Sequence, residues 1–292
     1  MEYVNNIFAI ISTIKPKRLK ITKKLIVIIS ASFKIMSLLI FFTLGIVLSL
    51  VLRLVLLFTS KWFYIKINTK YILRPLSRYL LFLAGVKINK TGNVDITNAI
   101  IVSNHWGYID SLVLMALSPC IVISNVDVMQ LPFIGKIMML MGFVFVDRKN
   151  KRSIPIVLER AAIILNRTNL NIAFFPEGGT GDGYTLRKFK SSFFDLAFMA
   201  KKNIAPVVIQ IETINNKTPT EDNINRVVYH NYSGSLFHHI LNVIRLKSIE
   251  VSYHVLPQIS YYEVYSKYLS RKKICKMAEE EISDFLNKNE RY

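Results

Sequence analysis

The sequence predicts an α/β fold: a single domain with a mixed sheet and flanking helices, preceded by an N-terminal membrane-anchoring helical segment. Three observations predict it. Short apolar runs bounded by polar residues or glycine alternate with amphipathic stretches, the pattern of strands and helices in turn. Ile35 to Leu52 is an unbroken run without charge, at the lower end of transmembrane length. The mean hydropathy of +0.34 stands beside a net charge of +19. Charge alone suggests a nucleic-acid binder and hydropathy alone a polytopic membrane protein. Together they suggest a basic protein at an anionic lipid surface, acting on anionic substrates. At 292 residues the chain has room for one sizeable domain and an appendage.

Residues 1–24 form a basic N-terminal segment, with Lys15, Lys17, Arg18, Lys20, Lys23 and Lys24 around Pro16. Residues 25–60 are the expected membrane anchor. Their apolar run is too long for a signal-peptide core, and no Ala-x-Ala site follows it. The trailing flank carries Lys61, Lys66, Lys70, Arg74 and Arg78, so the positive-inside rule is nearly tied. Two topologies therefore remain: a single span, or a helical hairpin hinged near Gly45 or Ser49. Trp62, Phe63 and Tyr64 suit the aromatic interface zone, and Arg53 can snorkel.

Residues 61–292 are the expected catalytic domain. Tyr71 to Ala84 has helical spacing, with Pro75 near its start and Gly85 as its stop. Val86 to Thr91 and Ala99 to Val102 read as strands. Ser111 to Leu117 reads as a helix stopped by Ser118-Pro119, and Cys120 to Ser124 as a strand. Leu131 to Met141 is an apolar helix whose methionines fill core space or wall an apolar groove. Phe143 to Asp147 is a strand, Ile154 to Leu165 an amphipathic helix, and Leu170 to Phe175 a strand leading into a glycine-rich loop. Ser191 to Ala200 is a helix and Ile204 to Ile211 a strand. Asn215 to Asn225 is a loop, Val227 to Tyr232 and Ile249 to Val255 are strands, and Ser266 to Leu286 is a closing helix.

Within this frame, His105 and Asp110 stand at the end of a strand. A histidine with a nearby aspartate is a general base with its orienting carboxylate. On one ideal helix a spacing of five leaves the side chains roughly 140° apart. The pair therefore requires His105 in the strand-to-helix turn and Asp110 in the first helical turn, with Gly107 easing the turn. Arg148 follows a second strand and offers a fork that fits phosphate oxygens. Glu177 and Gly178 follow a third. No Gly-x-Ser-x-Gly elbow is present, so a serine nucleophile is not indicated. Cys120 sits among apolar neighbours, as a buried thiol does. Cys120 and Cys275 lack metal or redox spacing, and His230, His238 and His239 lack ligand partners, so they read as surface or structural residues and no metal is expected.

These stretches, Ser103–Asp110, Gly142–Arg148, Phe174–Gly178 and Ile204–Val208, resemble in order and spacing the four blocks of the glycerolipid acyltransferases, the lysophosphatidic acid or lysophospholipid acyltransferase family. The resemblance runs from about Leu80 to Glu212. It implies a membrane-bound 1-acyl-glycerol-3-phosphate O-acyltransferase type of enzyme. His105 would be the base, Asp110 its orienter, and Arg148, Glu177 and Gly178 would bind the acceptor, with Asn104, Gly179 and Thr180 as flanking candidates. No cofactor is implied; acyl-CoA or acyl carrier protein is the donor substrate. The implied partners are a lysophospholipid acceptor, the donor and membrane lipids, without nucleic acid. The implied site is the inner, cytoplasmic membrane with the active site facing the cytoplasm. The family often reads Phe-Pro-Glu-Gly-Thr-Arg/Ser, whereas here Gly-Thr-Gly-Asp-Gly follows Phe-Pro-Glu-Gly. That run is similar to members acting on lyso-ornithine lipid or other lysolipids, which stays as an alternative acceptor class. A non-catalytic basic membrane or lipid-binding protein is the alternative from outside enzymology, and hydrolysis on the same residues is a third reading.

Overall fold

In the computed structural model the described residues are 29, 32–92, 95–130, 134–150, 152–230 and 234–288. They fall into two compact units, Met1–Phe41 and Phe42–Tyr292. In the first, the described residues belong almost wholly to the beginning of α1 (Ser32–Val55), the helix long and apolar enough to cross a membrane. The helix runs unbroken through Gly45 and Ser49, so neither residue is a hinge. The basic segment 1–24 lies outside the described residues.

The second unit holds a seven-stranded sheet in the order β1-β7-β6-β2-β5-β3-β4. The strands are β1 (Val86–Thr91), β2 (Ile100–Ser103), β3 (Cys120–Asn125), β4 (Val144–Val146), β5 (Asn171–Phe174), β6 (Ile204–Ile214) and β7 (Ile249–Val255). Every pairing is parallel except β6 with β7. The mixed sheet expected from the sequence is thus present. The inner strands are apolar on both faces, since helices cover both sides; Ile100, Ile101, Ile172 and Ala205 are almost wholly buried.

The chain leaves β2 toward β3 and later returns across it, from β5 to β6. A crevice at the carboxyl ends of the strands opens where the winding reverses in this way. The sheet therefore places the end of β2, between β5 and β6, where a ligand would bind.

Buried Asn171 holds the opposite end of these strands. Its carboxamide oxygen accepts from Ala99 N at 2.9 Å, and its Nδ2 donates to the carbonyl oxygens of Ile96 at 2.8 Å and Pro119 at 3.3 Å.

The structure differs from the sequence reading in several places. The helix expected from Tyr71 begins ten residues earlier, as α2 (Lys61–Asn68), a π turn (Thr69–Leu73) and α3 (Arg74–Leu83) in one continuous run. Pro75 lies at the start of α3 directly after the π turn, which lets the continuous run pass a residue that has no N–H to donate. Val227 to His230 is not strand: Val227 N and Val228 N both donate to Ile224 O, a helical-turn pattern, and the rest of the expected strand is outside the described residues. The closing helix is two helices, α11 (Tyr261–Ser266) and α12 (Arg271–Lys288), parted where Tyr268 takes a φ of 50°. α10 (Leu236–Ile244) was not anticipated at all.

The remaining helices are α4 (Tyr108–Leu117), α5 (Val126–Met129), α6 (Ile134–Leu140), α7 (Ser153–Thr168), α8 (Asp195–Ala200) after a 3₁₀ turn (Ser191–Phe194), and α9 (Glu221–Ile224). Within the second unit, Ser49 Oγ of α1 donates to Asn68 Oδ1 of α2 at 2.7 Å, and the Arg53 guanidinium lies over the Tyr64 ring at 5.2 Å.

Asn171→Ala should lower stability by about 2–3 kcal/mol, since it leaves buried partners unsatisfied without touching the crevice. Chemical denaturation of detergent-solubilised protein checks the loss, and the same sample should keep its ligand-binding behaviour.

Candidate functional site

β2 ends at Ser103 and α4 begins at Tyr108, so His105 occupies the turn and Asp110 the first helical turn, as the spacing requires. The two side chains meet: His105 Nδ1 lies 3.0 Å from Asp110 Oδ2. The same oxygen accepts the backbone N–H groups of Trp106 at 2.5 Å and Gly107 at 2.8 Å. An oxygen that accepts main-chain donors from the turn fixes the carboxylate first and the ring second. With Nδ1–H directed at Asp110, Nε2 is left as the basic nitrogen. The Phe175 ring stacks on the imidazole at 3.8 Å between centroids and 9° between planes. The histidine side chain is 13 % exposed and that of Asp110 3 %, so the imidazole is reachable and the carboxylate is not.

Asn104 is wholly buried. Its Nδ2 donates to Ile209 O at 2.7 Å and its Oδ1 accepts Ile209 N at 2.9 Å, so the amide continues the pairing of β2 with β6. Trp106 Nε1 donates to the same carbonyl at 2.7 Å. Asn104 and Trp106 therefore clamp the turn that carries His105 to β6.

Glu177 is also buried. Its two carboxylate oxygens accept the backbone N–H groups of His105 at 2.7 Å and Arg187 at 3.1 Å. It thus ties the base turn to the glycine-rich loop. Burial pushes its pKa up from 4.5 to about 7, aided by the Asp110 charge and opposed by those two N–H groups and Arg187.

The loop itself gathers positive charge. Arg148, expected from the sequence, donates from Nη1 to Gly178 O at 2.5 Å. Arg187 donates from Nη1 to Thr180 O at 3.3 Å. A side chain on Gly178, whose φ is 74°, would meet Lys190 Nζ at 2.6 Å, and one on Gly179 would meet Arg187 Nη1 at 3.0 Å. Among the described residues none of Arg148, Arg187 and Lys190 is in an ion pair. The Arg148 pKa is lowered by burial and by Arg187, and Asp127 opposes this. Two guanidiniums that repel each other beside a glycine loop form a seat for an anion.

Arg187 and Lys190 lie beyond the stretches that the sequence pattern singles out. The bond from Arg187 N to Glu177 brings Arg187 back to the turn, and no residue pattern announces that bond. Phe175 as the stacking partner was likewise missed, although it closes a strand beside the base. The hydroxyl of Thr180 donates to Tyr229 O at 2.8 Å, so this flanking candidate is engaged with the protein itself. Cys120 is buried and its thiol is pushed up by burial, as expected of an inert cysteine. Among the described residues no cluster of histidine, cysteine or carboxylates could hold a metal. His239 is buried rather than at the surface.

A carboxyl whose folded pKa is raised binds its proton more tightly in the native state. Its favourable contribution is complete below the unfolded pKa near 4.5 and is lost as pH rises through about 7. Stability should therefore drop by roughly 3 kcal/mol from Glu177 between those values. In Glu177→Gln the fall in stability across that window should be smaller by about this amount, as read by urea unfolding across pH 4.5 to 7.5.

A family model described as Acyltransferase matches residues 85–210. The chain is 31 % identical over 142 residues to a 1-acyl-sn-glycerol-3-phosphate acyltransferase of Borreliella burgdorferi, covering 47 % of this chain and 56 % of that one. It is 34 % identical over 111 residues to the human 1-acyl-sn-glycerol-3-phosphate acyltransferase beta, covering 37 % and 40 %. The chain thus spans about half the length of these curated relatives. It is also 24 % identical over 225 residues to a lyso-ornithine lipid O-acyltransferase of Rhizobium meliloti, covering 75 % of each. The crystal structure of the 1-acyl-sn-glycerophosphate (LPA) acyltransferase PlsC from Thermotoga maritima has the same fold, with a TM-score of 0.54 at 15 % identity over 76 % of this chain and 80 % of that one. The mixed sheet, the His105–Asp110 turn and these matches lead to one assignment: the chain carries an acyltransferase domain of the glycerolipid acyltransferase family.

Proposed function

We propose that the protein is a membrane-bound O-acyltransferase. It moves a fatty acyl group from acyl-CoA or acyl carrier protein to the free hydroxyl of a lysophospholipid, with 1-acyl-glycerol-3-phosphate as acceptor and phosphatidic acid as product. The observation that carries this reading is the hydrogen bond between His105 Nδ1 and a carboxylate already fixed by the turn. His105 Nε2 takes the proton of the acceptor hydroxyl while its oxygen attacks the thioester carbonyl. The C–S bond then breaks, the acyl group stays on the acceptor as an ester, and the thiolate leaves with the proton from the imidazolium. Asp110 steadies that cation. The N–H groups of Gly179 and Thr180 make no hydrogen bond among the described residues and suit the developing oxyanion.

Arg148, Arg187 and Lys190 fit the acceptor phosphate by charge and by the fork geometry of two guanidiniums. Arg187 stands in for an arginine missing from the Gly-Thr-Gly-Asp-Gly turn. Lyso-ornithine lipid is the second acceptor reading, favoured by the length of the match to the Rhizobium meliloti protein. Membrane attachment is proposed through α1, whose outward residues Leu54, Val55 and Phe58 just beyond it are large, apolar and exposed. The inner membrane, with the site on its cytoplasmic side, is the proposed location because both donors are soluble thioesters.

His105→Ala should lower transfer by roughly 100- to 10,000-fold in an assay on membranes with labelled acyl-CoA or acyl carrier protein. Full activity in a folded variant would defeat the mechanism. Arg187→Gln should lower kcat/KM for 1-acyl-glycerol-3-phosphate by about ten- to a hundredfold, the loss of one charge-assisted contact. An unchanged value for that acceptor, with transfer to lyso-ornithine lipid, would move the acceptor reading to the second class.

A further inference from the structure

The segment Ile224–His230 crosses both halves of the site. On one side Tyr229 N donates to Trp106 O at 3.3 Å, in the turn that holds His105. A side chain on Gly107 would meet Tyr229 N at 3.4 Å, so the segment lies directly against that turn. On the other side Thr180 Oγ1 donates to Tyr229 O at 2.8 Å, and the His230 Nδ1–H faces Thr180 O at 2.8 Å. Ile224 and Val228 pack against Gly183, where a Cβ would lie 2.5 Å from Ile224 Cδ1. Val227 closes a cavity of about 10 Å³ that Asp110, Trp106 and Ile209 also line. That space is about the size of one water. The segment therefore shares a small cavity with Asp110 and joins the base turn to the acceptor loop.

α10 fastens the segment in turn. His239 is buried, and its Nδ1 lies 3.0 Å from Tyr108 Oη at the start of α4. The rings of Tyr108, Tyr229 and His239 form a triangle, with Tyr229 and His239 at 5.2 Å and 75°, and Tyr108 and His239 at 5.7 Å and 89°. Burial lowers the His239 pKa, against the pull of the Val228 and Asn225 carbonyls. Those carbonyls engage a ring N–H, which leaves Nδ1 to accept from the Tyr108 hydroxyl.

We infer that Ile224–His230 is a positioning strap that sets the distance between the general base and the acceptor loop, and that Thr180 is its coupling residue, with Tyr108 and His239 as the latch. This rests on the acyltransferase reading of the site. Thr180 acts through Tyr229 on the turn of His105; its hydroxyl is a distance-setter for the reaction. A displacement of about 1 Å in such a constellation costs on the order of a hundredfold in rate.

The test compares Thr180→Val, Thr180→Ser and Tyr108→Phe in the full chain in detergent or membranes. Thr180→Val should lower kcat/KM for the acceptor ten- to a hundredfold with the donor KM within about threefold of native. Thr180→Ser, which restores the hydroxyl, should recover the activity, and Tyr108→Phe should fall between them. Hydrogen–deuterium exchange supplies a readout that needs no turnover. In Thr180→Val the peptides covering Trp106–Tyr108 and Gly178–Gly183 should exchange faster, with exchange in β5 and α7 unchanged. Native kinetics in Thr180→Val, a loss that Thr180→Ser does not recover, or a loss accompanied by faster exchange throughout the domain would each overturn the strap. If the native protein transfers no acyl group to any lysolipid, the acyltransferase reading fails. The exchange experiment then decides the strap: local acceleration supports it and its absence overturns it.

Discussion

One carboxylate oxygen carries the geometry of the site. Asp110 Oδ2 accepts the N–H groups of Trp106 and Gly107 and faces His105 Nδ1. The first two bonds fold the backbone from strand into helix. The third shares that acceptor, because the turn brings the ring to the helix N-terminus. The shape of the turn and the orientation of the imidazole thus depend on one oxygen. Charge-assisted bonds of this kind are shorter and stronger than neutral ones, and at the beginning of α4 the helix dipole adds to them. The rest of the domain keeps that oxygen in place. β2 fixes the approach, Asn104 and Trp106 anchor the turn to β6, and Glu177 ties it to the loop after β5.

The reversal of winding around β2 supplies a crevice, and the loops that line it come from strands far apart in sequence. Glu177 is the joint between them. A carboxyl group buried there is costly, yet it bridges two backbone donors that no neutral side chain of similar size would satisfy together. Its raised pKa is the physical sign of that compromise: the joint is made at the expense of stability.

Much of this was legible in the sequence because it rests on local pattern. Periodicity gave β1, β2, β3, β5 and β7 within one or two residues, and the five-residue spacing of His105 and Asp110 dictated a strand-to-helix turn. What was not legible depends on contacts between distant segments. Val227 and Val228 look like strand residues, but both side chains are buried by packing onto Gly183 and the cavity behind Asp110, and their N–H groups bond to Ile224. α10 hides because His238 and His239 interrupt its apolar character, although one of them is a core residue. Arg187 lies ten residues from Glu177, and the tertiary bond between them returns it to the glycine-rich loop. Pro75 suggested a helix beginning nearby, whereas a π turn let the helix run through from Lys61.

The stacking of His105 on Phe175 couples two positions that serve different ends. A flat ring on one face and a carboxylate at one edge leave the imidazole a single way to turn its free nitrogen outward. The residue that follows β5 and the helix that holds Asp110 therefore set the tilt of that nitrogen jointly. A displacement of either one is transmitted to the imidazole, so the ring registers the spacing between two elements far apart in the chain.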